Sequence, residues 1–231
     1  MTRLAFDPTL PTVPVAGSDL RFPVRRIYCV GRNYAAHARE MGADPSREEP
    51  FFFMKPADAV VPLGGRVASP PDTDNLHHEV ELVAAIGRGG SDIAAADALD
   101  HVFGYAVGID LTKRDRQNAL KAAGQPWERS KSFDHSAPIS AIVALPPDAA
   151  PVRGAISLAV NGAMRQNADL SDMIWSTAEI IARLSQIWTL APGDLVFTGT
   201  PEGVGSLAFG DVIEARITGV GGLRVEIGSG A

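Results

Sequence analysis

The chain has 231 residues, of which 45% are hydrophobic and 21% charged, the balance of an ordinary globular protein. Its 21 Lys and Arg against 27 Asp and Glu leave a net charge of -6, which speaks against nucleic acid or an anionic membrane surface as a partner, since both call for clustered cations. A single cysteine excludes a disulfide framework and a Cys-rich zinc site, and Cys29, inside the apolar run Ile27-Tyr28-Cys29-Val30, reads as buried filler rather than a nucleophile.

Asp7, Pro8, Pro11 and Pro14 leave no unbroken apolar stretch for a signal peptide. No apolar run approaches the roughly 20 residues of a spanning helix. The expectation is a soluble, cytoplasmic protein with an irregular, Pro-rich lead-in over residues 1–24 and one domain over 25–231. In chain order, a strand is expected over 26–30. A short helix follows over 33–41, with Asn33 as N-cap and Gly42 as its stop. Strands are then expected over 50–54 and 79–86, a brief helix over 94–100, and a strand over 102–109. A helix over 112–122 would take Thr112 as N-cap, and a strand follows over 155–160. Asn161-Gly162 is a hairpin signal of type I′. Ile180, Ile181, Leu184, Ile187 and Trp188 line one face of a helix over 177–188, which Ser176 and Glu179 open as a capping box. Strands over 194–198, 211–217 and 223–227 close the chain, with Gly221-Gly222 suggesting a second hairpin. Strands outnumber helices and do not alternate with them, so the reading is an α+β fold built on antiparallel or mixed sheets rather than a doubly wound one.

Three acidic residues carry the first chemical signal. Strand alternation puts Glu79 and Glu81 on one face, roughly 7 Å apart at their Cα atoms. Two like charges in an apolar segment either face solvent from an edge strand or hold a cation between them. Asp110 ends the apolar run 105–109 just before a helix start, where it serves either as a cap or as a third oxygen ligand. Such a set suits Mg²⁺, Mn²⁺ or Ca²⁺ rather than Zn²⁺. His37 and Glu40, three apart on a helix, are within reach of each other as a general-base pair, or else form an ordinary exposed face. His77 and His78 beside the acidic strand read as packing or support, not ligands. Lys131 follows a Gly/Pro-containing loop, where a lone lysine is usually solvated. The stretch 198–205, Thr-Gly-Thr-Pro-Glu-Gly-Val-Gly, offers amides and hydroxyls that could hold a carboxylate or phosphate. It lacks the lysine of a nucleotide phosphate loop, so no nucleotide cofactor is expected.

Taken in order, GRNYAAHAREMG from Gly31, FFFMKPADAV from Phe51, HHEVEL from His77, GYAVGIDLTKRDRQ from Gly104, KSFDHSAP from Lys131 and TGTPEGVG from Thr198 resemble the fumarylacetoacetate hydrolase family in its short branch. The resemblance implies a rolled, sandwich-like β fold, a homodimer, and Mg²⁺ or Mn²⁺ held at Glu79, Glu81 and Asp110. It implies catalytic positions at His37, Glu40 and Lys131, and a substrate pocket lined by Arg32, Arg114, Gln117 and Thr200. The stretch around His37 is most similar to acylpyruvate hydrolases, so the expected substrate is a small 2,4-dioxo acid such as fumarylpyruvate from gentisate breakdown. Two alternatives stand beside hydrolysis. One is decarboxylation or tautomerisation of an oxo acid such as oxaloacetate on the same metal site. The other is a β-rich binding module with structural Ca²⁺, which leaves His37, Glu40 and Lys131 without a task.

Overall fold

The segment Val80–Ile86 is buried at every position, and this double burial sets the architecture. Strand alternation sends Val80, Leu82, Ala84 and Ile86 into one core and Val83 and Ala85 into another. Both faces of this sheet are therefore covered. The computed structural model describes residues 5–6, 9–40 and 49–228.

The strands in chain order begin with β1 (Thr12–Pro14), β2 (Arg21–Pro23), β3 (Arg26–Gly31), β4 (Phe51–Lys55), β5 (Val60–Pro62) and β6 (Gly65–Ala68). Next come β7 (Leu76–His78), β8 (Val80–Ile86), β9 (Val102–Ile109), β10 (Thr112–Lys113), β11 (Ala137–Ile139) and β12 (Val143–Ala144). The last are β13 (Ala155–Val160), β14 (Ala163–Asp169), β15 (Asp194–Phe197), β16 (Gly205–Leu207), β17 (Val212–Ile217) and β18 (Gly221–Gly228). The α-helices are α1 (Ala35–Glu40), α2 (Arg114–Ala122), α3 (Glu128–Lys131) and α4 (Thr177–Ile187).

The largest sheet runs β4-β3-β15-β8-β9-β11-β5, with β12 added beside β9. It is mixed: β15 pairs parallel with β3 and antiparallel with β8. A second sheet, β14-β13-β17-β18-β6, buries alternate residues such as Ile156, Leu158, Ile213, Ala215, Val225 and Ile227 against it. Each of these Val, Leu and Ile side chains contributes about 1.5–3 kcal/mol on leaving water. The helix α4 adds Ile180, Ile181 and Leu184 to the same core, and its Ser176–Glu179 capping box forms as expected. A small sheet β10-β7-β16 sits beside these. The expected β-rich α+β fold with few short helices is what forms.

Several local expectations are corrected. The lead-in before Arg26 is not wholly irregular: β1 and β2 pair antiparallel and bury Val13 and Phe22 in the second core. Asn33 does not cap α1, because its side chain is taken by the backbone of Trp175 and Thr198. Thr112 does not cap α2; it lies in β10, and α2 starts at Arg114. The 94–100 helix shrinks to a 3₁₀ turn at Ala98–His101. Ile187 points outward, 58% exposed, because α4 ends there and Trp188 already adopts extended backbone to stack on Tyr28. The hairpin at Asn161-Gly162 forms with both residues at positive φ, 51° and 77°, as a type I′ turn requires. The second hairpin turns at residues 218–220, so Gly221 and Gly222 belong to β18. Met41 and the Gly42 stop lie outside the described residues.

Candidate active site

The pairing of β8 with β9 builds the acidic cluster. Their register sets Val80 opposite Ile109 and Glu81 opposite Gly108, and just beyond it the Asp110 amide donates to the Glu79 carbonyl at 2.8 Å. Glu79 and Asp110 therefore face each other across the strand pair, with Glu81 two residues along. Only a glycine fits at 108, since a Cβ there would come within 2.5 Å of Val83 and 2.6 Å of Phe197. One oxygen from each of Glu79, Glu81 and Asp110 lies within 4.8 Å of the others. All three residues are buried, at 4%, 2% and 1% exposure, which removes the edge-strand reading. Asp110 bonds a lysine rather than capping a helix.

Buried carboxylates need partners. The Lys131 ammonium donates to Glu79 Oε2 at 2.8 Å, Asp110 Oδ2 at 2.6 Å and Thr112 Oγ1 at 2.6 Å. It is buried at the end of α3 rather than solvated. Arg114 Nη2 donates to Glu79 Oε1, and its Nη1 donates to Gln117 Oε1. Lys55, 2% exposed, sits 2.8 Å from Asp110 Oδ1 as an ion pair without hydrogen-bond alignment. Burial opposes ionisation of Glu79, but Lys131 and Arg114 outweigh it and hold its carboxyl well below the usual range. Among the described residues Glu81 has no paired cation: burial, then the Asp110 and Glu79 charges, outweigh the more distant Lys131 and push it well up. Lys131 is raised, because Asp110 and Glu79 outweigh its burial. An oxygen-only set, with one Asp110 oxygen free of hydrogen bonds and Glu81 lacking a cation, fits a hard divalent ion.

His37 and Glu40 meet as expected. His37 Nδ1 lies 3.2 Å from Glu40 Oε2, and the Gly203 amide donates to the same carboxylate at 3.2 and 3.3 Å. The His37 hydrogen bond, then the Gly203 amide, lowers the Glu40 carboxyl despite partial burial. His37 is buried rather than exposed on its helix; Nδ1 is occupied by Glu40, and no described group bonds Nε2. Arg32, His37, Arg114, Gln117, Lys131 and Thr200 line one pocket together with Glu79, Glu81 and Asp110. Phe51, Phe53 and Trp127 add an aromatic wall.

The loop 198–205 serves the protein's own carboxylates. The Gly199 amide donates to Glu81 at 2.7 Å and the Gly203 amide to Glu40. His77 and His78 stay outside the acidic cluster, as expected. His77 receives Arg114 Nε at 3.4 Å, and burial, with the Arg114 charge, pushes it down to about 4. Sequence reasoning missed Lys55 and Gln166. A lysine closing the aromatic run Phe-Phe-Phe-Met was the available signal for the first; the second had none.

A buried carboxylate triad and the His37 of a His–Glu pair line one pocket on these curled mixed sheets, and the chain belongs to the fumarylacetoacetate hydrolase family. Residues 26–228 match the family described as Fumarylacetoacetate (FAA) hydrolase C-terminal. Among solved structures, a fumarylpyruvate hydrolase from Pseudomonas aeruginosa, in complex with Mn²⁺ and pyruvate, is 52% identical. It superposes with a TM-score of 0.95, over 99% of this chain and 100% of that one. Among curated relatives, the mitochondrial oxaloacetate tautomerase FAHD1 of Rattus norvegicus is 45% identical over 205 residues, 88% of this chain and 91% of that protein. The oxaloacetate tautomerase YcgM of Escherichia coli K12 is 42% identical over 204 residues, 88% and 93% of the two chains.

Proposed function

We propose that the chain hydrolyses the carbon–carbon bond of a 2,4-dioxo acid of the acylpyruvate type, with fumarylpyruvate going to fumarate and pyruvate as the leading case. The observation that carries this reading is the buried His37, held by the more exposed Glu40, lining the same pocket as the acidic triad. The 52% identity to a fumarylpyruvate hydrolase along the full length supports it. Glu79, Glu81 and Asp110 would hold Mg²⁺ or Mn²⁺, which supplies Lewis-acid polarisation of the oxo acid.

The chain's own residues divide the remaining work. Glu40, held by Gly203, fixes the His37 ring with Nδ1 toward itself. His37 Nε2 then takes a proton from the water that attacks the carbonyl distal to the pyruvoyl group. The bond between that carbonyl carbon and its neighbouring methylene breaks, the electron pair stays with the methylene, and the proton held by His37 passes to it, giving the carboxylic acid and pyruvate. Arg114, Gln117 and Thr200 bind the oxo-acid end, and Arg32 the acyl end. All three Lys131 protons are already bonded, so Lys131 acts by its charge and by fixing Glu79 and Asp110 rather than as a free donor. The homodimer belongs to this proposal on the family resemblance.

A second reading, oxaloacetate tautomerisation, is supported by the relatives at 45% and 42% identity. It moves a proton between carbon and oxygen and consumes no water. An assay of fumarylpyruvate, acetylpyruvate, fumarylacetoacetate and oxaloacetate with Mg²⁺ separates the readings. Loss of acylpyruvate enol absorbance with release of pyruvate and the matching carboxylic acid supports hydrolysis. Loss of the oxaloacetate enol alone, with the acylpyruvates untouched, rejects it in favour of the tautomerase.

A further inference from the structure

Gln166 lies on β14, is fully buried and is absent from the pocket wall, yet its amide uses all of its main bonding directions at the edge of the site. The Val80 amide, one residue from Glu79, is 3.1 Å from Oε1, and His78 Nδ1 is 3.0 Å from the same oxygen. Nε2 lies 2.8 Å from Thr200 Oγ1 and 2.9 Å from the Pro201 carbonyl. A backbone N–H can only donate and a carbonyl can only accept, so Val80 and Pro201 together fix which end of the amide is oxygen. It follows that His78 carries its proton on Nδ1 and that Thr200 Oγ1 is an acceptor toward Gln166.

We propose that Gln166 is a positioning residue that fixes Thr200 as a hydrogen-bond donor into the pocket, so that this wall selects an acceptor oxygen of an ionised oxo acid. A hydroxyl has one proton and two lone pairs; the bond from Gln166 occupies one lone pair and turns the O–H away from Gln166. No described group accepts the Thr200 proton, and Thr200 lines the pocket. The same amide ties the segment bearing Glu79 to the loop bearing Thr200, which sets the spacing between metal ligands and substrate donor. The inference rests on Thr200 belonging to the oxo-acid pocket of the proposed function, and it is the same for hydrolysis and tautomerisation.

The test is oxalate binding to the Mn²⁺-loaded protein by calorimetry, alongside KM and kcat for whichever oxo acid the enzyme turns over. Gln166→Glu keeps the shape but replaces the donor with an acceptor, which turns the Thr200 proton away from the pocket. It should raise the oxalate Kd and the KM by about 10–100-fold, the loss of one hydrogen bond to a charged group, with kcat little changed. Thr200→Val should do the same, and the double variant should be no worse than the weaker single, because the two act through one hydroxyl. Thr200→Ser should bind like the parent and stay sensitive to Gln166→Glu. Mn²⁺ affinity should not move in any of them. Should Gln166→Glu fail to fold, Gln166→Leu takes its place, with the same non-additivity expected. Multiplying losses in the double variant, parent-like oxalate binding by Gln166→Glu, or a parallel fall in Mn²⁺ affinity would each overturn the inference. Absence of oxalate binding by the Mn²⁺-loaded parent would overturn it too. A protein that cleaves no acylpyruvate yet shows the predicted oxalate pattern would reject the hydrolase reading and keep this one.

Discussion

His37 and Lys131 are both buried in one pocket, and their hydrogen bonds give them different work. Lys131 has every proton occupied, whereas His37 keeps Nε2 available. His37→Ala should therefore lower kcat by about 10²–10⁴ with little change in KM, the pattern for a general base that acts mainly in the transition state. Glu40→Gln should cost less, because the ring stays and only its orienting charge goes; steady-state kinetics on an acylpyruvate checks both. Glu79→Ala, Glu81→Ala and Asp110→Ala should each abolish divalent-ion-dependent turnover while circular dichroism still reports a folded protein. Full activity of the parent after EDTA treatment would contradict the metal assignment. These residues were legible because carboxylates two apart in an apolar strand, or a His and Glu three apart on a helix, carry their chemistry in their spacing. Lys55 and Gln166 were not, since each acts on a partner far away in sequence: Asp110 for one, Val80 and Thr200 for the other. Asn33 and Thr112 looked like caps by residue type. Tertiary partners claimed both, because a buried backbone group or ammonium holds such a side chain more firmly than a helix end does.

At the scale of elements, strands with both faces buried, such as β8 and β9, announced themselves as long apolar runs. The two- and three-residue strands β5, β7, β10, β11, β12 and β16 did not, because so few residues cannot display a period. The helix α1 has only six residues and little stability of its own. It is held from its start by Asn33, whose amide bonds Trp175 N at 2.7 Å, Trp175 O at 2.8 Å and Thr198 O at 2.8 Å. Asn33→Ala removes all three bonds from a buried position and should destabilise the protein by about 2–4 kcal/mol, measured by denaturant unfolding. From its end, α1 is held by Glu40 on Gly203. Amide exchange over residues 33–40 should slow markedly when oxalate binds the metal-loaded protein, as expected for a helix that closes over the pocket. Equal exchange with and without oxalate would count against closure.

For the molecule as a whole, the α+β class followed from strands outnumbering helices, and the pairing of sheets did not, since register across β8 and β9 or β3 and β15 is set by contacts far apart in sequence. The Pro-rich start hid a hairpin that covers the outer face of the large sheet. Phe22 there stacks on Phe103 with ring centroids 5.6 Å apart, so Phe22→Ala should cost about 3 kcal/mol in denaturant unfolding while leaving KM unchanged. The proposed function is that this fold joins a carboxylate site for a divalent ion to a His–Glu pair and cleaves a carbon–carbon bond with water. Its most direct test is the turnover of fumarylpyruvate in ¹⁸O-labelled water with Mg²⁺ or Mn²⁺. The account predicts equimolar fumarate and pyruvate, with one solvent oxygen in the new fumarate carboxylate and no reaction after chelation. Unchanged fumarylpyruvate beside rapid conversion of the oxaloacetate enol to its keto form would contradict it.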